Sequence, residues 1–377
     1  MDKPNEINRY DFIDALRGFA ILAVILTHAA LISLPSYDFL RMISDNGARG
    51  VQLFYVASAL TLFLSMEERS HKESKPVRNF FIRRFFRIAP LFYIAIIVYT
   101  FIYGPAPREF APNGIQWWQY PLTFAFLNGW HPEAINSILP IEWSVAVEMT
   151  FYLCIPFLFS ILKDLKSTIL FIIGSLLLQY VLSLILDPIL VRQYPHYQYM
   201  SRAFLFFWFF SQLPVFGIGI AAYHAFRMMK NVKDKKLGIA LLILSVFLFV
   251  VFLNVKTFQG LIQQHVLYGL AFLVFALALH AYPTRLLVNP VTRWIGKVSY
   301  SIYLVHFAVI ELLKRILPEH LPVGKTIGFF LAYILILLLA AAISALTYRF
   351  IEVPGMNLGK RLIHKLDEQP ALAQPAR

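Results

Sequence analysis

Apolar residues in this chain come in long runs rather than in alternation. Ten stretches, near residues 12–34, 48–66, 86–104, 141–162, 168–186, 203–226, 237–253, 261–282, 295–317 and 326–349, are predominantly apolar. Each is long enough for a helix to cross a hydrocarbon layer of ~30 Å. A spanning segment must satisfy its own backbone polar groups, which selects helices. The pattern predicts an all-α, polytopic membrane protein of about ten transmembrane helices. It reads as a single domain over 1–358, with a short tail, 359–377, expected to be disordered. The 105–140 connection is rich in Pro, Trp and Asn and predicts an interfacial, partly re-entrant segment anchored by Trp117, Trp118 and Trp130. Pro214, with Gly217 and Gly219, is expected to kink or thin the sixth helix. No internal repeat or low-complexity segment is legible.

Composition agrees with the pattern. Hydrophobic residues make up 59% of the 377 positions and charged residues 15%, too apolar for a soluble domain. The net charge of +13 sits in the connections. Residues 67–85 carry Arg69, Lys72, Lys75, Arg78, Arg83 and Arg84, the connection after the sixth run carries Arg227 and four lysines, and the tail adds Lys360, Arg361 and Lys365. Alternate connections are poor, with Arg108 in 105–140 and Lys256 in 254–260. This bias points to a lipid bilayer rather than to nucleic acid and places both termini in the cytoplasm. The polar leader with Asp2, Glu6 and Asp11 argues against a cleaved signal peptide. The single cysteine, Cys154, excludes an intramolecular disulfide.

Ionisable groups inside the runs carry the chemistry, because they are costly there. The first run, DALRGFAILAVILTH, holds Asp14, Arg17 and His28 on one stripe, with His28 eleven steps and roughly 16 Å beyond Arg17. A neutral histidine in the outer half of the membrane suits a general base acting on a hydroxyl; the bland alternative is an Arg17 that snorkels and a His28 that packs. Arg84 and Arg87 share a face at the start of the third run, where they either grip phosphates or merely flank the membrane. Glu148 lies between Ser144 and Tyr152 at i−4 and i+4, at about the depth of His28, positioned to orient an imidazole or accept a proton. Ser299, Tyr303 and His306 follow i, i+4, i+7 on the ninth run, a pattern that also suits interhelical hydrogen bonding. Glu352 is expected to end the last helix, paired with Arg349 or Arg293. No metal-ligand spacing, Walker A sequence or dinucleotide fingerprint is present, so a metal, nucleotide hydrolysis and hydride chemistry are not expected.

Six stretches, taken in order, resemble the acyltransferase 3 family of integral membrane acyltransferases. They are DALRGFAILAVILTH, GVQLFYVASALTLF, RRFFRIAP, WSVAVEMTFYLCIP, GKVSYSIYLVH and RFIEVP, spread over about residues 10–358. The resemblance implies a ten-helix domain that takes an acyl group, most often acetyl, from cytoplasmic acetyl-CoA. The group passes to a hydroxyl of a cell-surface or exported glycan or glycoside. By position, His28 matches the family's essential histidine, Arg17, Arg84 and Arg87 its donor-associated arginines, and Glu148 its motif acid. The implied setting is the bacterial cytoplasmic (inner) membrane, with polysaccharide-assembly proteins as possible partners. Two departures stand out: Gln52 where the family usually has an acid, and Ala59 where it usually has glycine. The 377 residues hold no esterase-like domain, so the acceptor is expected to be handled here or by a partner. The rival reading is a transporter or flippase for an anionic or glycosidic solute.

Overall fold

The structure is a computed structural model, and it describes residues 10–254, 261–317 and 323–368. The expectations for Lys256 in 254–260, for the leader 1–9 and for residues 369–377 fall outside them. Within the described residues fifteen α-helices follow in order: α1 (Asp11–Ala29), α2 (Asp38–Gly47), α3 (Gly50–Ser70), α4 (Pro76–Tyr103), α5 (Gln119–Phe124), α6 (Glu142–Ile161), α7 (Leu165–Gln193), α8 (Gln198–Phe207), α9 (Phe209–Met228), α10 (Lys235–Asn254), α11 (Gln264–Ala281), α12 (Pro290–Lys297), α13 (Ser299–Ile316), α14 (Lys325–Thr347) and α15 (Val353–Glu368). Among the described residues there is no β-strand, only an isolated bridge between Arg108 and Ala111. Among the described residues nine segments are long and apolar enough to cross a membrane, and α12 with α13, bent by 75°, makes a tenth if counted as one span. The expected helical membrane architecture holds.

Burial separates centre from rim. α3 and α9 are buried along most of their length, whereas α7 and α10 turn leucine, isoleucine and valine outward, as lipid-facing helices do. The sixth run breaks at Trp208, whose ψ of 164 is extended, and not at Pro214, which sits inside α9. The expected thinning is present: a Cβ on Gly219 would lie 2.7 Å from both the Val56 carbonyl oxygen and Ala59 Cβ. Ala59, in place of the family's glycine, therefore meets a glycine on the facing helix.

Two corrections bear on the site. α4 starts ten residues before the apolar run, with Pro76 in its first turn, so the arginine cluster is helical and belongs to the same rod as the span. The tail is not disordered over 359–368. After a π-helical turn at Tyr348–Glu352, α15 packs back along α4, with Gly355 and Gly359 against Phe86. Pro90 cannot donate to the Phe86 carbonyl, and it is there that Gly355 approaches. Arg78 pairs with Asp367 and fixes the far end of α15.

α12 crosses the first half of α1 at glycine contact. A Cβ on Gly296 would sit 1.7 Å from the Asp14 carbonyl oxygen, and one on Gly18 2.4 Å from that of Thr292. Gly296→Ala is therefore expected to destabilise the protein by about 1–3 kcal/mol through overpacking. Thermal unfolding in detergent measures this, and an unchanged midpoint would contradict the contact.

Candidate active site

A cavity of about 390 Å³ runs inside the bundle. On α3 its lining residues are Val51, Phe54, Tyr55, Ser58, Thr61 and Leu62. These share one face over eleven residues, so the cavity follows the helix for about 16 Å. α4, α6 and α13 supply the other walls. One end is basic, with Arg17, Arg83, Arg84 and Arg87, and Met356 and Lys360 reach it from α15. The tail expected to be disordered thus supplies part of the mouth.

Three of these arginines already have acids. Asp14 Oδ1 accepts from Arg17 at 3.0 Å, which gives Asp14 the neutralising place the shared stripe suggested. Arg17 also donates to Thr61 Oγ1 at 2.9 Å. Glu73 holds Arg83 at 2.8 and 3.0 Å. Arg87 pairs with Glu352, which also accepts from Ser301. That corrects the expected partner of Glu352, because Arg293 goes instead to Asp11. Arg84 differs. Among the described residues it has no acid, its Nε is buried without a partner, and its guanidinium lies over Phe80 and Tyr152 at 5.6 and 5.8 Å. Lys360 likewise has no ion pair among the described residues. The mouth therefore keeps two cations, Arg84 and Lys360, that form no ion pair among the described residues.

Farther in, Glu148 Oε1 accepts from Ser58 at 2.6 Å and from its own helix neighbour Tyr152 at 2.7 Å. Its partners are these hydroxyls and not an imidazole, so the expected pairing of Glu148 with His28 is not the one formed. At the inner end Ser144 and Tyr303 share a hydrogen bond of 2.6 Å, and the Phe54 ring packs edge-on to Tyr303. Ser299 lines the wall nearer the mouth. Gln52, where an acid is usual, is buried and donates to Gln212 Oε1 at 2.9 Å, a pairing suited to two carboxamides.

Beyond Tyr303 two histidines meet, His306 Nε2 lying 3.1 Å from His28 Nδ1. The tautomers follow from the neighbours. His306 Nδ1 is 2.7 Å from the Tyr303 carbonyl oxygen and 3.2 Å from that of Ile302, and a carbonyl can only accept. His306 therefore carries its proton on Nδ1 and accepts at Nε2, and His28 donates from Nδ1. This assignment puts the lone pair of His28 on Nε2, the form a general base requires. Phe307 packs on His28 with ring centroids 4.5 Å apart, which limits its rotation.

The profile of an acyltransferase domain family, acyltransferase 3, matches residues 10–349. The chain belongs to this family. As a member it is similar to a peptidoglycan O-acetyltransferase, OatA, of Listeria monocytogenes, at 29% identity with 91% of this chain and 55% of the relative covered. It is also similar to the O-acetyltransferase OatA of Staphylococcus aureus, at 25% identity with 92% and 57% covered. The chain spans a little over half the length of these relatives. No solved structure matches. Family membership and the apolar helices together make this acyltransferase domain an integral membrane protein.

Of the residues singled out in the sequence, the fold gathers Arg17, Arg84, Arg87, Ser144, Glu148, Tyr152, Ser299 and Tyr303 around one tunnel. It joins His28 and His306 just past the inner end. Sequence reasoning missed Ser58, Thr61, Arg83 and Lys360. The Gly355-x3-Gly359 spacing, which lets two helices approach closely, was the available signal for the last of these.

Proposed function

We propose that this chain moves an acetyl group from cytoplasmic acetyl-CoA to a hydroxyl of an exported or cell-surface glycan, with His28 as general base. The observation that carries the reading is a tunnel with an arginine that forms no ion pair among the described residues at one end and an oriented histidine pair just beyond the other. Arg84 and Lys360 suit the phosphates of the donor, and Arg17, Arg83 and Arg87 are held rigid around them. An extended pantetheine arm, about 15–20 Å long, matches the length of the tunnel along α3. Tyr55, Ser58, Ser144 and the second oxygen of Glu148 offer partners for the two amides of that arm. Glu148 is thus a binding group of the tunnel rather than the partner of His28.

At the inner end, His28 Nε2 takes the proton of the acceptor hydroxyl as its oxygen attacks the thioester carbonyl. The C–S bond breaks, and the imidazolium returns the proton to the departing thiolate. His306 holds the other nitrogen of His28, so the ring presents its lone pair without reorganising. The relatives' names make peptidoglycan the first acceptor to test.

Purified protein in detergent, given radiolabelled acetyl-CoA and peptidoglycan fragments, should yield labelled O-acetyl glycan. Movement of label into proteoliposomes with no transfer would favour the transporter instead. The reading also sets both termini in the cytoplasm of a bacterial inner membrane. In a chain freed of Cys154, cysteines placed by Lys75→Cys and Asn113→Cys should label from opposite sides. Labelling of both from one side would overturn that orientation.

A further inference from the structure

A second cavity, of about 790 Å³, opens between α7, α8, the start of α11 and Arg49 before α3. It shares no lining residue with the tunnel, although Arg49 stands only two residues before Val51, where the tunnel ends on α3. Arg49 has no acid among the described residues. It donates to Gln264 Oε1 at 3.3 Å, its Nε is buried without a partner, and its guanidinium lies by the rings of Phe206 and Tyr268 at 5.5 and 6.0 Å. His265 offers the complementary group. Its Nε2 lies 2.9 Å from the Ser211 carbonyl oxygen and so carries the proton, which leaves Nδ1 an acceptor, fully buried and unpartnered. Gln179, Gln263 and Ser183 add neutral polar groups, and Arg202 and Asp187 stand exposed at the opening.

A half-buried cation without a counter-ion among the described residues, an unpartnered acceptor nitrogen and carboxamides beside aromatic faces describe a particular ligand chemistry. An anionic oxygen group would satisfy the guanidinium, and neutral hydroxyls would satisfy the imidazole and amides. α2 connects this cavity to the reacting end of α1. Asn46 accepts from Tyr268 at 2.8 Å, and Gly47 packs at van der Waals limit on Thr27, the neighbour of His28. We propose that this cavity binds an acidic saccharide, with Arg49 on its carboxylate and His265 Nδ1 accepting from a sugar hydroxyl. The inference rests on the acyl-transfer reading in one respect, that the saccharide is the acceptor.

Binding can be read without turnover. The protein is placed in nanodiscs of zwitterionic phosphatidylcholine and titrated calorimetrically with two probes. One is N,N′-diacetylchitobiose and the other the corresponding muramyl disaccharide, which adds a lactyl carboxylate. Wild type should bind the acidic disaccharide about tenfold more tightly or better, the yield of a single charge-assisted contact. Arg49→Gln should erase that preference, and Arg49→Lys should restore part of it. Gln264→Glu leaves the arginine in place but supplies an internal counter-ion, and it should erase the preference too, so the test survives misfolding of the first variant. Equal binding of both probes by wild type overturns the proposal. So does a preference that survives Arg49→Gln but is lost in Arg84→Ala, which would place the acid in the tunnel. Arg49-dependent retention of phosphatidylglycerol without disaccharide binding overturns it in favour of a lipid headgroup. Arg49-dependent saccharide binding by a protein that transfers no acetyl group would instead sink the catalytic reading and leave the site standing.

Discussion

Replacing His28 with alanine is expected to lower acetyl transfer by about 10²–10⁴-fold, the usual contribution of a positioned general base. The donor should still bind, because the basic mouth lies about 16 Å away along α1. Some stability will be lost as well. His28 donates to His306 Nε2 at 3.1 Å, and a buried acceptor left unsatisfied costs about 1–3 kcal/mol. His28→Gln separates the two effects, since its amide can still donate to His306 but cannot act as a base near neutral pH. Both variants should elute as folded protein, bind CoA and fail to transfer. Turnover at the wild-type rate in either variant would remove His28 from the mechanism.

The second large effect is expected at the mouth, where two neighbouring arginines should behave differently. Arg84 forms no ion pair among the described residues, and its Nε is buried without a partner. Arg84→Ala should weaken CoA binding by about 1.5–3 kcal/mol, or roughly 10- to 150-fold, without harming the fold. Arg87 is tied to Glu352, which is itself buried against Ser301. Its removal strands a buried carboxylate, so Arg87→Ala should act first on stability, by about 3–5 kcal/mol. Titration of CoA alongside thermal unfolding distinguishes the two. If Arg84→Ala leaves CoA affinity unchanged, that arginine is only a membrane flank.

Much of this architecture is legible as hydropathy, because a span must be both apolar and long, and both properties are local. Helix periodicity also gave the right faces: Ser144, Glu148 and Tyr152 line one cavity with Ser299 and Tyr303. Periodicity fixes the face, but neither its depth nor which neighbouring helix it meets. For that reason Glu148, expected at about the depth of His28, was open to pairing with it, yet it lies nearer the basic mouth and bonds to Ser58 across a different interface. The same gap hid Arg87–Glu352, whose partners are 265 positions apart. The start of α4 was misplaced because charges that stop an apolar run need not stop a helix. α15 was missed because its order comes from a tertiary contact, two glycines lying on Phe86, in a segment too polar to signal a span.

α1 carries both Arg17 and His28, and its geometry makes it a ruler. Eleven helical residues set the separation between the charged rim and the histidine we propose as base, and close packing against α12 and α3 leaves the rod little room to slide. A donor must then bridge that span to be used, so selection acts on the length of the carrier as well as on its end group. Acetyl phosphate, and thioesters of short thiols such as N-acetylcysteamine, can reach one landmark but not both. They should serve poorly however reactive their acyl group. Chain-length discrimination in this enzyme would then be a property of one straight helix, not of a shaped acyl pocket.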